Sequence, residues 1–200
     1  MSRRKNNSLV RKTGTRRYRS VCWVSAEGST ERDYFGMDVF RNANVNVQFP
    51  RDVHPDRRNP AAVLKRFQKM LRTEDFRAFD EAWIVVDVDE WDRKEIESLH
   101  AWAEGDNRHH VVVSNPKFEL FLLMHFEKAN GCTTSAKIDA ALKRHMPGYD
   151  KRLGKRQFSA AQVRSAIAVA QAKRAGCRDT IPSPGMTDAY LLAERLIGTE

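Results

Sequence analysis

The chain of 200 residues has no apolar run long enough to cross a bilayer, which takes about 20 residues in a helix. No charged leader runs into an apolar stretch either, so a membrane span and a secretory signal are excluded and a cytoplasmic location is expected. Cysteine is scarce: Cys22, Cys132 and Cys177 are odd in number, widely spaced and free of any CxxC pair. That pattern excludes a zinc ribbon and argues against a disulfide framework, so the three are read as ordinary thiols. The glycine-rich signature of a nucleotide-cradling loop is missing, so any dependence on ATP has to come from a partner. No repeat or low-complexity stretch appears beyond the amino-terminal tail. What is there, 41% hydrophobic and 30% charged residues, is enough for one α/β domain with a core.

Acids are absent from the first 20 positions, which hold eight Lys and Arg, while the remaining 180 residues are almost balanced. The net charge of +9 therefore sits largely in a basic tail, residues 1–18, ahead of a single domain over 19–200. Two readings of the tail stay open, a solvated arm or a segment steering the protein towards a polyanion. Within the domain, residues 21–136 carry 15 basic and 20 acidic side chains, whereas residues 137–178 carry 11 and two. An acidic middle thus lies ahead of a basic, helical carboxy-terminal part that begins near residue 130.

Arg19 to Ala26 is β-rich and breaks at Glu27-Gly28, with Thr30 predicted as the N-cap of a helix carrying Tyr34, Phe35, Met37, Val39 and Phe40. Val45, Val47 and Phe49 alternate up to Pro50 and give a second strand. After an arginine-rich loop, 51–58, Pro60 opens a helix with Val63, Leu64, Phe67, Met70 and Leu71 at helical spacing. Glu81 to Val88 is a continuous apolar strand of the kind buried on both faces of a parallel sheet. A helix over 93–104 and a strand over 109–113 follow, and strands separated by helices predict a mostly parallel four-stranded sheet. Helices are then predicted at about 117–128, 135–146, 159–175 and 187–197.

Ligands of open parallel sheets bind outside the carboxyl ends of the strands, so the acids placed there carry the interest. The first strand delivers Glu27 with Glu31 one helical turn on, and the third delivers Asp87 and Asp89, which strand alternation would place on one side. Asp87 follows Ile84-Val85-Val86, where a charge is costly unless paired or bound to metal. Oxygen-only donors at strand ends suit Mg²⁺ or Mn²⁺. Each acid also has a structural reading: a helix cap for Asp89 or Asp92, a strand-to-helix turn for Glu27, a first-turn charge for Glu31.

Glu27-Gly28-Ser29-Thr30-Glu31 with Tyr34-Phe35, then Val85-Val86-Asp87-Val88-Asp89-Glu90, then Ser114-Asn115-Pro116-Lys117-Phe118-Glu119-Leu120 running to His125-Phe126, and finally Pro182-Ser183-Pro184 carry a resemblance. Over most of residues 20–197 the chain resembles the RloB-like proteins, also called the AbiLii type, of bacterial restriction and phage-defence loci. The resemblance implies a fold related to the TOPRIM domain of topoisomerases, primases and OLD-type nucleases. It implies Glu27 as general acid/base or first ligand, Asp87 and Asp89 as Mg²⁺ ligands, Glu31 as the second acid of an EGxxE variant, and Glu119 as an acid from the following helix. The family usually occurs beside an OLD-like, ABC-type ATPase, which implies an effector with that partner. Asn115 is read mainly as a cap and His125 mainly as a core histidine.

The reading is a metal-dependent nuclease acting on DNA or RNA, with Lys143, Arg144, Lys151, Arg152, Lys155 and Arg156 as phosphate contacts. A solvated helical surface is the plainer explanation of those six side chains. The rival from another class is a non-catalytic adaptor that binds nucleic acid or an ATPase. Strand passage or primase activity is disfavoured, because no second domain presents a nucleophilic tyrosine or a zinc module.

Overall fold

The computed structural model describes residues 19–26, 28–41, 44–50, 60–90 and 92–198. The basic tail, the arginine-rich loop and Glu27 lie outside the described residues. Strands β1 (Ser20–Ala26), β2 (Val45–Gln48), β3 (Glu81–Asp87) and β4 (His109–Asn115) pair in parallel in the order β2-β1-β3-β4. The two-residue β5 (Met186–Thr187) adds an antiparallel edge to the end of β4. The helices are α1 (Ser29–Phe35), α2 (Pro60–Thr73), α3 (Arg93–Glu104), α4 (Glu119–Leu123), α5 (Ser135–His145), α6 (Ala160–Arg174) and α7 (Ala189–Ile197).

The apolar run of β3 is buried on both faces, and its alternation divides the core. Ala82, Ile84 and Val86 pack with Phe67 of α2 and with Ile96 and Leu99 of α3. Trp83 and Val85 face the opposite layer with Cys22, Val24, Tyr34, Phe118 and Phe121. That second cluster continues through Ile138, Leu142, Val163 and Ile167 to Leu192 and Leu196, so the carboxy-terminal helices share one core with the strands. Each fully buried Leu or Phe contributes about 1.5–3 kcal/mol. The fold is α/β, a mostly parallel sheet flanked by helices, with a helical carboxy-terminal part.

Several local expectations need correction. The sheet has five strands rather than four, because Gly185 donates its amide to the Asn115 carbonyl at 2.8 Å and brings Met186 alongside β4, which delays the last helix to Ala189. The helix expected over 117–128 is the short α4: beyond Leu123 i to i−3 bonds, as from Phe126 to Leu123, mix with i to i−4 bonds, as from Glu127 to Leu123, and the chain turns at Ala129 with φ 49°. Thr30 lies inside α1, whose N-cap is Gly28. Asp92 does cap α3, in a reciprocal box with Glu95.

His125 is a satisfied core residue. Its Nδ1 bonds the Phe121 carbonyl at 3.0 Å and its Nε2 the Tyr34 hydroxyl at 2.9 Å, and burial lowers its pKa to about 4. All three cysteines are free, and burial pushes the Cys22 thiol up to about 12. Among the described residues no helix is long and apolar enough to cross a membrane.

Candidate metal centre and its basic rim

Three strands end side by side: Ala26 is level with Val85, and Asp87 with Ser114. The start of α1 and the start of α4 therefore face each other across the carboxyl end of β3. At the first of these, a Cβ added to Gly28 would lie 2.5 Å from Oε2 of Glu31. The first-turn carboxylate folds back over the start of the helix, into the space that a side chain at position 28 would occupy. Glu31 is 4% and Glu119 6% exposed, a depth at which ionised side chains are held by partners or metal.

Asp87 lies between them. The backbone amide of Phe118 bonds its carboxylate, yet Oδ1 is buried and has no hydrogen-bond partner. Burial first, and then the neighbouring negative charges of Glu31, Glu119 and Asp89, drive its pKa well above the ordinary carboxylate value. Lys117, two residues before Glu119, directs its ammonium to Asp139 at 2.6 Å.

Asp89 is placed differently from the expectation. Strand alternation stops at Asp87, and Val88–Glu90 is a single 3-10 turn. The Asp89 side chain is exposed and accepts from the Ser135 hydroxyl at 2.7 Å, while its backbone amide bonds the Pro116 carbonyl at 3.1 Å. The structure thus brings Glu31, Asp87 and Glu119 together and holds Asp89 at the edge. Glu27 precedes Gly28 but lies outside the described residues.

The fit to a divalent cation rests on donor chemistry: oxygen-only ligands, a buried carboxylate oxygen without a partner, and like charges clustered at a strand end. Among the described residues no three His, Cys, Asp or Glu side chains already stand as a ready coordination group. The crevice gathers carboxylates whose mutual repulsion a cation would relieve.

Tyr149, a residue that no motif in the sequence singles out, completes the wall of the site. Its hydroxyl donates to Oε1 of Glu119 at 2.9 Å and lies 2.7 Å from the Thr30 hydroxyl. Burial, and then the charge of Glu119, push its pKa up, so it stays a donor throughout the working range. The Lys151 carbonyl accepts from the Ser29 hydroxyl at 2.9 Å and lies 3.0 Å from the Thr30 hydroxyl, and the Leu153 amide donates to Asp33 at 3.1 Å. The loop between α5 and α6 is thereby strapped across the start of α1. Thirty residues separate Tyr149 from Glu119, and no local pattern announces such a contact.

The strap carries four of the six basic candidates, all exposed: Lys151, Arg152, Lys155 and Arg156. The Lys151 carbonyl meets Ser29 and Thr30 at the start of α1, and Arg152 lies 3.8 Å from Asp33 on the same helix, so both stand at the rim of the carboxylate crevice. Lys143 and Arg144 are also exposed but belong to the last turn of α5, where Arg144 reaches Glu127 at 3.8 Å. Their setting matches charge complementarity at a helix end.

Comparison with protein families gives a match to the RloB-like protein family over residues 22–196. The match covers most of the chain, and the protein belongs to that family. No curated protein and no solved structure matches it.

Proposed function

We propose that this RloB-like family member is a metal-dependent nuclease that hydrolyses phosphodiester bonds of DNA or RNA, with Glu31, Asp87 and Glu119 holding Mg²⁺ or Mn²⁺ and Asp89 beside them. The observation that carries the reading is the partnerless, buried Oδ1 of Asp87 among further carboxylates. A structural acid at that depth would have a donor on each oxygen. Glu27, one residue before Gly28, enters as ligand or general base through the family resemblance.

The chemistry a bound cation supplies is Lewis-acid stabilisation of the attacking and leaving oxygens during in-line displacement. The protein's own part is to collect carboxylates at one point and to hold the nucleic-acid backbone at the rim. Lys151 and Arg152 at the rim are the nearest phosphate contacts, Lys155 and Arg156 follow on the same strap, and Lys143 and Arg144 belong to the end of α5. Burial and the neighbouring acids raise the Asp87 pKa, so protons compete with the cation at that carboxylate and cation binding strengthens as pH rises. A TOPRIM-related fold and an effector role in phage defence beside an OLD-like, ABC-type ATPase complete the reading, and both rest on the family resemblance.

The test is incubation of labelled DNA, tRNA and other RNA pools with the protein and Mg²⁺ or Mn²⁺, with and without the neighbouring ATPase. Cleavage of one pool, abolished by EDTA, is the expected result. Binding without cleavage in every arm would instead support the adaptor reading.

A further inference from the structure

We infer that Tyr149 is a positioning residue for the metal centre: its phenol orients the Glu119 carboxylate and ties the basic strap to the crevice. The inference rests on the metal-dependent reading above. Its geometry is a chain of contacts across three separate segments: Thr30 on α1, Tyr149 on the strap and Glu119 on α4. The phenol and the Thr30 hydroxyl have one proton each. With Ser29 already donating to the Lys151 carbonyl, the arrangement that serves every acceptor runs from Thr30 to Tyr149 and from Tyr149 to Glu119. Glu119 is then fixed through Oε1.

Carboxylates that ligate metals are themselves held by hydrogen bonds, and loss of such an outer partner typically weakens metal binding about 10- to 100-fold. The same strap presents Lys151 and Arg152 at the rim. Tyr149 therefore links the segment that would grip phosphate to the segment that would grip the cation.

The experiment is calorimetric titration of the full chain with Mn²⁺, alongside thermal melting, for wild type, Tyr149→Phe and Asp33→Ala. Asp33→Ala releases the strap at the Leu153 amide without touching Glu119, so it measures what loosening the loop does by itself. The expected result is a loss of about 10-fold or more in Mn²⁺ affinity for Tyr149→Phe, and a lowered melting temperature with affinity within about threefold of wild type for Asp33→Ala. Thr30→Val, which removes the donor behind the phenol, should show a smaller loss and serves as the second variant if Tyr149→Phe does not fold. Unchanged affinity in Tyr149→Phe overturns the inference. So does an equal loss in Tyr149→Phe and Asp33→Ala, which would mean that the phenol acts only through loop stability. Failure of the wild-type protein to bind Mn²⁺ removes the metal reading itself.

Discussion

The two ends of β3 each carry an acid, and the two acids are treated in opposite ways. Glu81, at the amino end, accepts from Nε of Arg195 at 2.7 Å, from Nε1 of Trp83 at 3.0 Å and from the Cys22 thiol at 3.7 Å. Asp87, at the carboxyl end, has one amide, a bare buried oxygen and three acidic neighbours. A carboxylate with matched donors stabilises a fold, whereas one held against like charges destabilises it unless something else binds. The contrast within a single strand fits an architectural role at the amino end and, on the proposed reading, cation binding at the carboxyl end. A cavity of about 860 Å³, lined by Glu81, Trp83, His110 and Arg195 among others, lies at the architectural end.

The sharpest way to break this contrast is to neutralise each acid in turn. Asp87→Asn should reduce Mg²⁺-dependent cleavage by about 1000-fold or more, the equivalent of several kcal/mol of charge stabilisation. The same change should raise the melting temperature of the cation-free protein by about 2–4 °C, for roughly 1 kcal/mol of relieved repulsion. Glu81→Gln should do the reverse, leaving cleavage intact and costing about 1–2 kcal/mol, a value discounted for the partial exposure of Arg195. Denaturation and turnover measured on both variants decide it, and two variants that behave alike would dissolve the distinction.

The pH dependence sharpens it further. An acid whose pKa is raised on folding keeps its proton in the native state after the unfolded chain has lost it. Its contribution therefore falls as pH rises above about 4. His125 acts with the opposite sign: it is neutral in the fold down to about 4, so stability rises with pH between 4 and the ordinary histidine value of 6.5. The difference between wild type and Asp87→Asn isolates the carboxylate. Cation-free wild type should lose stability relative to the variant as pH rises, and saturating Mg²⁺ should reverse that trend.

Smaller effects are expected at the rim. Changing Lys151, Arg152, Lys155 and Arg156 to Glu should weaken nucleic-acid binding across sequences. The slope of log affinity against log salt should flatten by about 0.7–0.9 for each phosphate that is no longer neutralised. An unchanged slope would assign the four to ordinary surface. Deleting residues 1–18 should cost less affinity and leave the melting temperature unchanged, since that segment has few apolar residues to bury.

The sheet is legible in the sequence because β3 is an uninterrupted apolar run and Pro or Gly punctuates the neighbouring elements. Asp87 is legible for the same reason, as the residue on which β3 stops, and Glu31 and Glu119 lie in the first turns of the helices that follow β1 and β4. What escapes depends on contacts between distant segments or on very short elements. Asp89 leaves the strand face because alternation holds only while the strand lasts, and a 3-10 turn begins at Val88. β5 has two residues, too few to show a period. Tyr149 reaches Glu119, and Arg195 reaches Glu81, only after the carboxy-terminal part has packed against the sheet. Gly28 is legible as a turn, but its tight approach to Glu31 requires the folded helix start.

The central claim is that the carboxylates around Asp87 hold a divalent cation. Anomalous diffraction from crystals soaked in Mn²⁺ tests it most directly. The account predicts a Mn²⁺ peak against Oδ1 of Asp87, between Glu31 and Glu119, that is absent from Asp87→Asn crystals. A crevice without such a peak at saturating Mn²⁺, or a peak that persists in Asp87→Asn, would contradict it.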